Sequence, residues 1–215
     1  MLHGLVYMAL YSYTFDLSNQ LMGIAEDQMG KPDRPLVRGL CTPRGAWKRW
    51  IAAALLFLLL GWLWGVWLWA AIWVLLGSWH NFLGGAKHWV GKNLLNGLGT
   101  IAQLAPMWQL SAPLTTSAWI WIMTIAIANF VLIPLQDLRD LTGDHVNGRR
   151  TFPIVFGETV TRIYLAVGFL LLPLVVFRVL IFPFGPTWIR VGCGVFLAVP
   201  IPIRFVNPVD NTHLV

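Results

Sequence analysis

Acidic side chains are concentrated in residues 129–153, which read NFVLIPLQDLRDLTGDHVNGRRTFP. The segment begins as the end of an apolar helix and continues into Asp137, Asp140 and Asp144, followed by a basic pair, Arg149 and Arg150. Spacings of three and four keep side chains on one helix face, so we expect the three carboxylates to point together. Clustered carboxylates are normally held by a divalent cation, and oxygen ligands beside water favour Mg²⁺, which often also binds substrate phosphates. The alternative is a solvated acidic loop.

A second polar group ends the first apolar segment, in FDLSNQLMGIAED. Asp16, Gln20, Gly23 and Asp27 are spaced by four, three and four residues, with Asn19 adjacent, so they share one helix face. An ionisable group that meets lipid at membrane depth is costly. We therefore expect this face to look into protein or water.

Composition indicates a polytopic membrane protein. Of the 215 residues, 57% are hydrophobic and 11% are charged, and the apolar residues come in helix-length blocks. The net charge of +6 does not indicate nucleic-acid binding, because the basic residues lie in short loops between apolar segments, where they set membrane orientation.

The apolar blocks predict an all-α bundle of about seven membrane spans in a single domain, residues 1–215. Residues 50–82 would form one helix ~50 Å long, more than the ~30 Å hydrocarbon core, so we expect two helices joined near residues 61–65. The other spans are expected near residues 2–25, 92–109, 118–136, 162–182 and 188–205. Lys and Arg recur in the loops after helices one, three and five, which places those loops and both acidic groups on the cytoplasmic side.

The fourth predicted helix begins with a polar stripe. His88, Lys92 and Asn96 are four residues apart, and such a stripe entering a membrane helix indicates a water-filled cavity. Carboxylates for a metal ion, with Lys and Arg for phosphate oxygens, suit a diphosphate, and an apolar, aromatic-rich cavity suits a hydrocarbon tail. The candidate diphosphate contacts are Lys31, Arg34, Lys92 and Arg150.

Two motifs resemble the UbiA superfamily of intramembrane prenyltransferases. They are NQxxGxxED at residues 19–27, followed by KPDRP, and QDLRDLTGD at residues 136–144, followed by GRRTFPIVFG. The resemblance implies a helical bundle with a central cavity, and Mg²⁺ that bridges an isoprenyl diphosphate to both motifs beneath a cytoplasmic cap. The implied catalytic residues are Asn19, Asp27, Asp137, Asp140 and Asp144. The implied metal ligands are Glu26, Asp27, Asp137, Asp140 and Asp144, and the implied substrate-binding residues are Gln20, Gly23, Lys31, Arg34, Lys92, Asn96 and Arg150.

The first motif departs from the family pattern NDxxDxxxD. Gln20 and Gly23 stand where aspartates are expected, and Glu26 either offsets one lost carboxylate or faces solvent. The NQ and ED pairs of this motif resemble those of fungal members of the superfamily, which include terpene cyclases as well as transferases. Family members usually have nine helices, so the resemblance implies a chain that lacks the first and last, either as a fragment or as a reduced member.

Three functions follow as hypotheses. The first is a Mg²⁺-dependent prenyltransferase, in which an aromatic or other small-molecule acceptor attacks the ionised chain. The second is a terpene cyclase, in which the chain closes on itself without an acceptor. The third is a non-enzymatic channel or transporter, with the acidic residues as an ion vestibule.

Overall fold

The computed structural model describes residues 2–198, and it is all-α: that range contains no strand, and one isolated bridge pairs His88 with Arg150. The helices are α1 Leu2–Met22, α2 Ile24–Gly30, α3 Pro43–Leu63, α4 Trp67–Phe82, α5 Trp89–Gln109, α6 Thr116–Leu132, α7 Pro134–Arg139, α8 Leu141–Val146, α9 Phe152–Phe156, α10 Glu158–Val176, α11 Phe182–Phe184 and α12 Thr187–Ala198. A 3₁₀ turn, Gly85–Lys87, precedes α5, and a π turn, Phe177–Ile181, follows α10. By contacts between Cα atoms the chain divides into two compact units, Met1–Leu172 and Pro173–Val215.

The expected break inside residues 50–82 is confirmed. α3 starts at Pro43, where Thr42 caps the helix by accepting a hydrogen bond from the Gly45 amide. It ends at Leu63, and α4 begins at Trp67. Gly65, with a φ of 72°, supplies the left-handed backbone that reverses the chain between them.

The acidic segment does not continue one straight helix, so the expectation of three carboxylates on a single helix face is wrong. α6 stops at Leu132, and Pro134 begins the short helix α7. Asp140 then lies between α7 and α8, where it leaves helical geometry with a ψ of 10°. The spacing argument fails here because it requires unbroken helix.

The first unit is built around contacts between α1, α3, α4 and α5. Tyr7 and Phe57 are fully buried with ring centroids 4.7 Å apart, and the Tyr7 hydroxyl donates to the Ala102 carbonyl. Tyr11 stacks on Trp73 at 3.8 Å, and the indole N–H of Trp73 donates to the Tyr11 carbonyl. These aromatic side chains therefore bury large apolar surfaces while their polar atoms remain paired.

Three helical segments have the length and apolar composition to cross a membrane, namely Pro43–Leu63, Thr116–Arg139 and Glu158–Phe184. In each segment, at most 28% of the residues in the most apolar 18-residue stretch are buried inside the protein. Low burial of this kind is expected of helices that face lipid. The total of about seven spans stays a prediction. The last expected span, 188–205, is described only through α12, and residues 199–205 lie outside the described residues.

Candidate active site

A cavity of about 360 Å³ lies within the first unit and takes its lining from both acidic motifs. The first motif contributes Glu26 and Asp27 from α2, and the second contributes Asp140 from the α7–α8 junction. Lys92 from α5 and Arg149 from the loop after α8 line the same space. The two acidic groups, far apart in the sequence, are thus brought to one cavity together with cationic side chains.

Lys92 lies between two buried aspartates of the second motif. Its ammonium Nζ is 2.5 Å from Asp137 Oδ1 and 3.9 Å from Asp144 Oδ2; the first contact is a hydrogen bond and the second an ion contact only. Both aspartates are almost completely buried, and the Oδ2 of each has no hydrogen-bond partner among the described residues. A buried carboxylate oxygen without a hydrogen-bond partner is costly, so these two atoms are candidates for contact with a further ligand.

Asp140 has a different environment from Asp137 and Asp144. Its side chain is 39% exposed, and Arg139 Nε donates to its Oδ1 at 3.0 Å. This hydrogen bond holds the pKa of Asp140 below its usual value, so the carboxylate is ionised at neutral pH. Asp140 therefore presents a charged oxygen to the cavity that it lines.

Arginines hold the two carboxylates of the first motif. Asp27 Oδ2 accepts a hydrogen bond from Arg34 at 2.5 Å, and Glu26 Oε2 accepts one from Arg149 at 2.5 Å. Arg149 also donates to Asp144 Oδ1 at 2.9 Å, so its guanidinium joins the first motif to the second. Glu26, for which the sequence left two alternatives open, thus lines the cavity.

The residues expected from the sequence fall into three groups. The cavity is lined by Asn19, Gly23, Glu26, Asp27, Lys31, Arg34, Lys92, Asn96 and Asp140. Asp137 and Asp144 lie behind Lys92. Gln20 and Arg150 are not part of the lining; the backbone N–H of Arg150 donates to the Lys87 carbonyl, and its own carbonyl accepts from the Trp89 amide.

Sequence reasoning missed several lining residues. An aromatic wall is formed by Tyr11 and Phe15 of α1 and Trp73 of α4, and a polar line continues past Asn96 along α5. That line consists of Thr100 and Gln103, and Asn129 of α6 donates to the Thr100 hydroxyl at 2.8 Å. The spacing of residues 92, 96, 100 and 103 could have revealed this line. His80 of α4 also lines the cavity, and no sequence pattern pointed to it.

The donor atoms fit Mg²⁺ in type. They are carboxylate oxygens from both motifs, including the two buried oxygens without partners. Within the described residues, no three His, Cys, Asp or Glu side chains are grouped closely enough to hold a metal by themselves. Mg²⁺ commonly takes only one or two carboxylates and completes its shell with water and substrate phosphates, so the arrangement suits a metal that arrives with a diphosphate.

Comparison with characterised proteins gives three informative relatives. Over 194 residues the chain is 46% identical to the Somaliensene A/B synthase of Streptomyces somaliensis, covering 90% of this chain and 65% of that protein. It is 32% identical to the diterpene cyclase eriG of Hericium erinaceus, covering 92% and 61%, and 33% identical to the polyprenyl transferase eriF of the same organism, covering 78% and 58%. The chain therefore spans about three fifths of the length of the curated relatives it matches.

The fold and almost the whole sequence also match known proteins. A solved structure of a UbiA homolog from Archaeoglobus fulgidus bound to GPP and Mg²⁺ has a TM-score of 0.64 with this chain at 18% identity, covering 92% of this chain and 71% of that one. At that identity the likeness establishes the fold. The model of the UbiA prenyltransferase family, whose members are integral to membranes, matches residues 1–212. The chain belongs to the UbiA prenyltransferase family.

Proposed function

We propose that this protein ionises an isoprenyl diphosphate between its two acidic motifs and then cyclises the prenyl chain. The observation that carries the proposal is the single cavity in which Asp27, Asp140, Arg34 and Lys92 meet an aromatic wall. A charged, hydrogen-bonding part beside an aromatic part matches a substrate with a diphosphate head and a hydrocarbon tail.

Ionisation requires stabilisation of the diphosphate that leaves. Lys31, Arg34 and Lys92 line the cavity, and their N–H groups are suited to contact phosphate oxygens. Mg²⁺, when bound, supplies positive charge that stabilises the leaving diphosphate. The ligands proposed for it are Glu26, Asp27, Asp137, Asp140 and Asp144, with Asn19, Gly23 and Asn96 beside the substrate. The roles expected of Gln20 and Arg150 stay sequence-based predictions.

Cyclisation is favoured over transfer by two features. The stacked pair of Tyr11 and Trp73, together with Phe15, presents aromatic rings to the cavity, and such rings stabilise a nearby cation. Two of the relatives, at 46% and 32% identity, are named as a synthase and a diterpene cyclase. A cation held by rings and shielded from water has time to react with the double bonds of its own chain.

Transfer to an acceptor is the second candidate, because a relative of 33% identity is named as a polyprenyl transferase. The polar line of Asn96, Thr100 and Gln103 would then hydrogen-bond an aromatic or other small-molecule acceptor. Membership of an enzyme family favours either reaction over a non-enzymatic channel. For both, we propose a single domain over residues 1–215 and a site that opens on the cytoplasmic side, where the basic loops lie.

Product analysis distinguishes the two reactions. The protein in membranes is incubated with geranyl, farnesyl or geranylgeranyl diphosphate and Mg²⁺, without an acceptor, and both released diphosphate and organic products are measured. We expect diphosphate release with a cyclic hydrocarbon. Product that forms only after an aromatic acceptor is added would support transfer instead, and no diphosphate release from any of these substrates would overturn both.

A further inference from the structure

His80 lies in α4 and lines the same cavity, but the ionisation step described above does not use it. Its side chain is among the buried polar groups, with 7% of the residue exposed. The ring nitrogen Nε2 has no hydrogen-bond partner among the described residues. A buried polar atom without a partner, on a residue that lines a cavity, requires an explanation.

A chain of three hydrogen bonds assigns the proton on the imidazole ring of His80. The Ser18 hydroxyl donates its one proton to the Phe15 carbonyl at 2.8 Å, so Ser18 Oγ accepts from Asn81 Nδ2 at 2.7 Å. The amide of Asn81 is thereby oriented with Oδ1 toward His80 Nδ1, at 2.9 Å. An amide oxygen can only accept, so Nδ1 carries the proton and Nε2 carries the free electron pair.

The surroundings of the ring disfavour a positive charge on it before reaction. His80 is buried, and the cationic Lys92 and Arg149 line the same cavity. Phe15, whose ring centroid is 5.7 Å from that of His80, covers it with an apolar surface. A neutral imidazole with an unpaired Nε2, on a residue that lines a cavity with an aromatic wall, is suited to accept a proton.

We propose that Nε2 of His80 accepts the proton that ends the cyclisation; this inference rests on the proposed function. The C–O bond to the diphosphate breaks and its electron pair leaves on the diphosphate. A double bond of the chain then attacks the cation and forms the ring, leaving a cationic carbon. A C–H bond beside that carbon breaks, its electron pair becomes a new C=C bond, and the proton binds Nε2. The imidazolium returns the proton to the departing diphosphate, so the products are a cyclic olefin and hydrogen diphosphate.

The test separates proton transfer from ionisation. His80→Ala and, as a variant that fills more of the space, His80→Gln are assayed for diphosphate release and for product composition. We expect diphosphate release to stay within about threefold of wild type, while the wild-type olefin falls ~100-fold and water-quenched alcohols accumulate, since a positioned base typically contributes at least that factor. Asn81→Leu, which removes the partner that assigns the proton to Nδ1, should shift the products in the same direction.

Chemical rescue distinguishes a base from a filler of space. Imidazole added to His80→Ala should restore the olefin, and pyrazole, which has the same shape but is a much weaker base, should not. His3→Ala is the matched control, because His3 stacks on Trp64 and is not part of the cavity lining. Unchanged products in both His80 variants, or equal rescue by pyrazole, would overturn the inference while leaving the proposed function intact. Absence of diphosphate release in the wild type would overturn both.

Discussion

Arg149 and Glu26 lie 123 residues apart in the chain, yet Arg149 Nη2 is 2.5 Å from Glu26 Oε2. The same guanidinium donates through Nη1 to Asp144 Oδ1 at 2.9 Å. A planar guanidinium has several donors in a fixed geometry, so it can orient two carboxylates at once. Arg149 therefore links Glu26 of α2 to Asp144 of α8, and with them the two acidic motifs.

The adjacent arginines provide the first prediction. We expect Arg149→Gln to lower diphosphate release by ~100-fold, about 3 kcal/mol in activation free energy, because the buried Asp144 and the cavity-lining Glu26 both lose the guanidinium that joins them. Arg150→Gln should have a smaller effect, since the contacts described for Arg150 are made by its backbone. The two rates are compared at saturating Mg²⁺. An equal fall in diphosphate release in both variants would support Arg150 as the diphosphate contact that the sequence predicts.

The second prediction concerns Asp144, which is almost completely buried between Lys92 and Arg149. Asp144→Asn keeps the shape of the side chain but removes its charge, so both cations lose a partner and the proposed metal loses a ligand. We expect diphosphate release to fall by at least ~100-fold, the equivalent of about 3 kcal/mol. Asp140→Asn should also be severe, through loss of the proposed ligand, because its partner Arg139 is exposed.

Protein level in the membrane is the control for both aspartate variants. Turnover is therefore expressed per amount of protein in the membrane, because removing a buried charge also lowers stability. Glu158→Gln serves as the matched substitution, since Glu158 is exposed, pairs with Arg162 and does not line the cavity. Wild-type turnover in Asp144→Asn at every Mg²⁺ concentration would remove the second motif from the reaction.

The sequence predicts the helix pair α3–α4 and the polar start of α5 because their signals are local. Glycine allows the reversal at Gly65, and a spacing of four identifies Lys92 and Asn96 as neighbours on one face. The assignment to a membrane protein and the two family motifs also depend on local patterns. Both could therefore be predicted from the sequence.

The positions of Arg149 and His80 could not be predicted in this way. Arg149, and not Arg150, enters the site because it contacts Glu26, 123 residues earlier in the chain. Nothing in the local sequence distinguishes the two adjacent arginines. His80 acquires its orientation from Asn81 and Ser18, and Ser18 belongs to another helix. The break at Asp140 was also missed, since the spacing of the aspartates is equally compatible with unbroken helix.

The third prediction compares Asp27 with Asp33, which lie six residues apart in the same region. Asp27 is buried, lines the cavity and accepts a hydrogen bond from Arg34, whereas Asp33 is exposed between two prolines. We expect Asp27→Asn to reduce diphosphate release by at least ~30-fold, about 2 kcal/mol, and Asp33→Asn to leave it within about twofold. Equal effects would contradict the assignment of Asp27 to the site.

The last prediction concerns Gly91, which lets the start of α5 approach the 3₁₀ turn before it. A Cβ atom at this position would lie 2.2 Å from the Gly85 carbonyl oxygen, and backbone cannot move aside as a side chain can. Gly91→Ala should therefore destabilise the protein by about 1–3 kcal/mol, although alanine is intrinsically the better helix former by about 1 kcal/mol. The expected fall in Tm is about 2–12 °C for a chain of this size.

Gly143 is the matched control for Gly91, because a Cβ there meets nothing within 4 Å and the residue also lies in a helix. Gly143→Ala should raise Tm slightly, so the same substitution is expected to have opposite signs at the two positions. Both are measured by thermal unfolding in the same detergent. Lys92 directly follows Gly91, so displacement of the start of α5 would also move the Lys92 ammonium away from Asp137. We therefore expect Gly91→Ala to lower diphosphate release even at temperatures at which the variant is still folded. A Gly91→Ala protein as stable and active as wild type would show that α5 does not require this close approach to hold Lys92 in place.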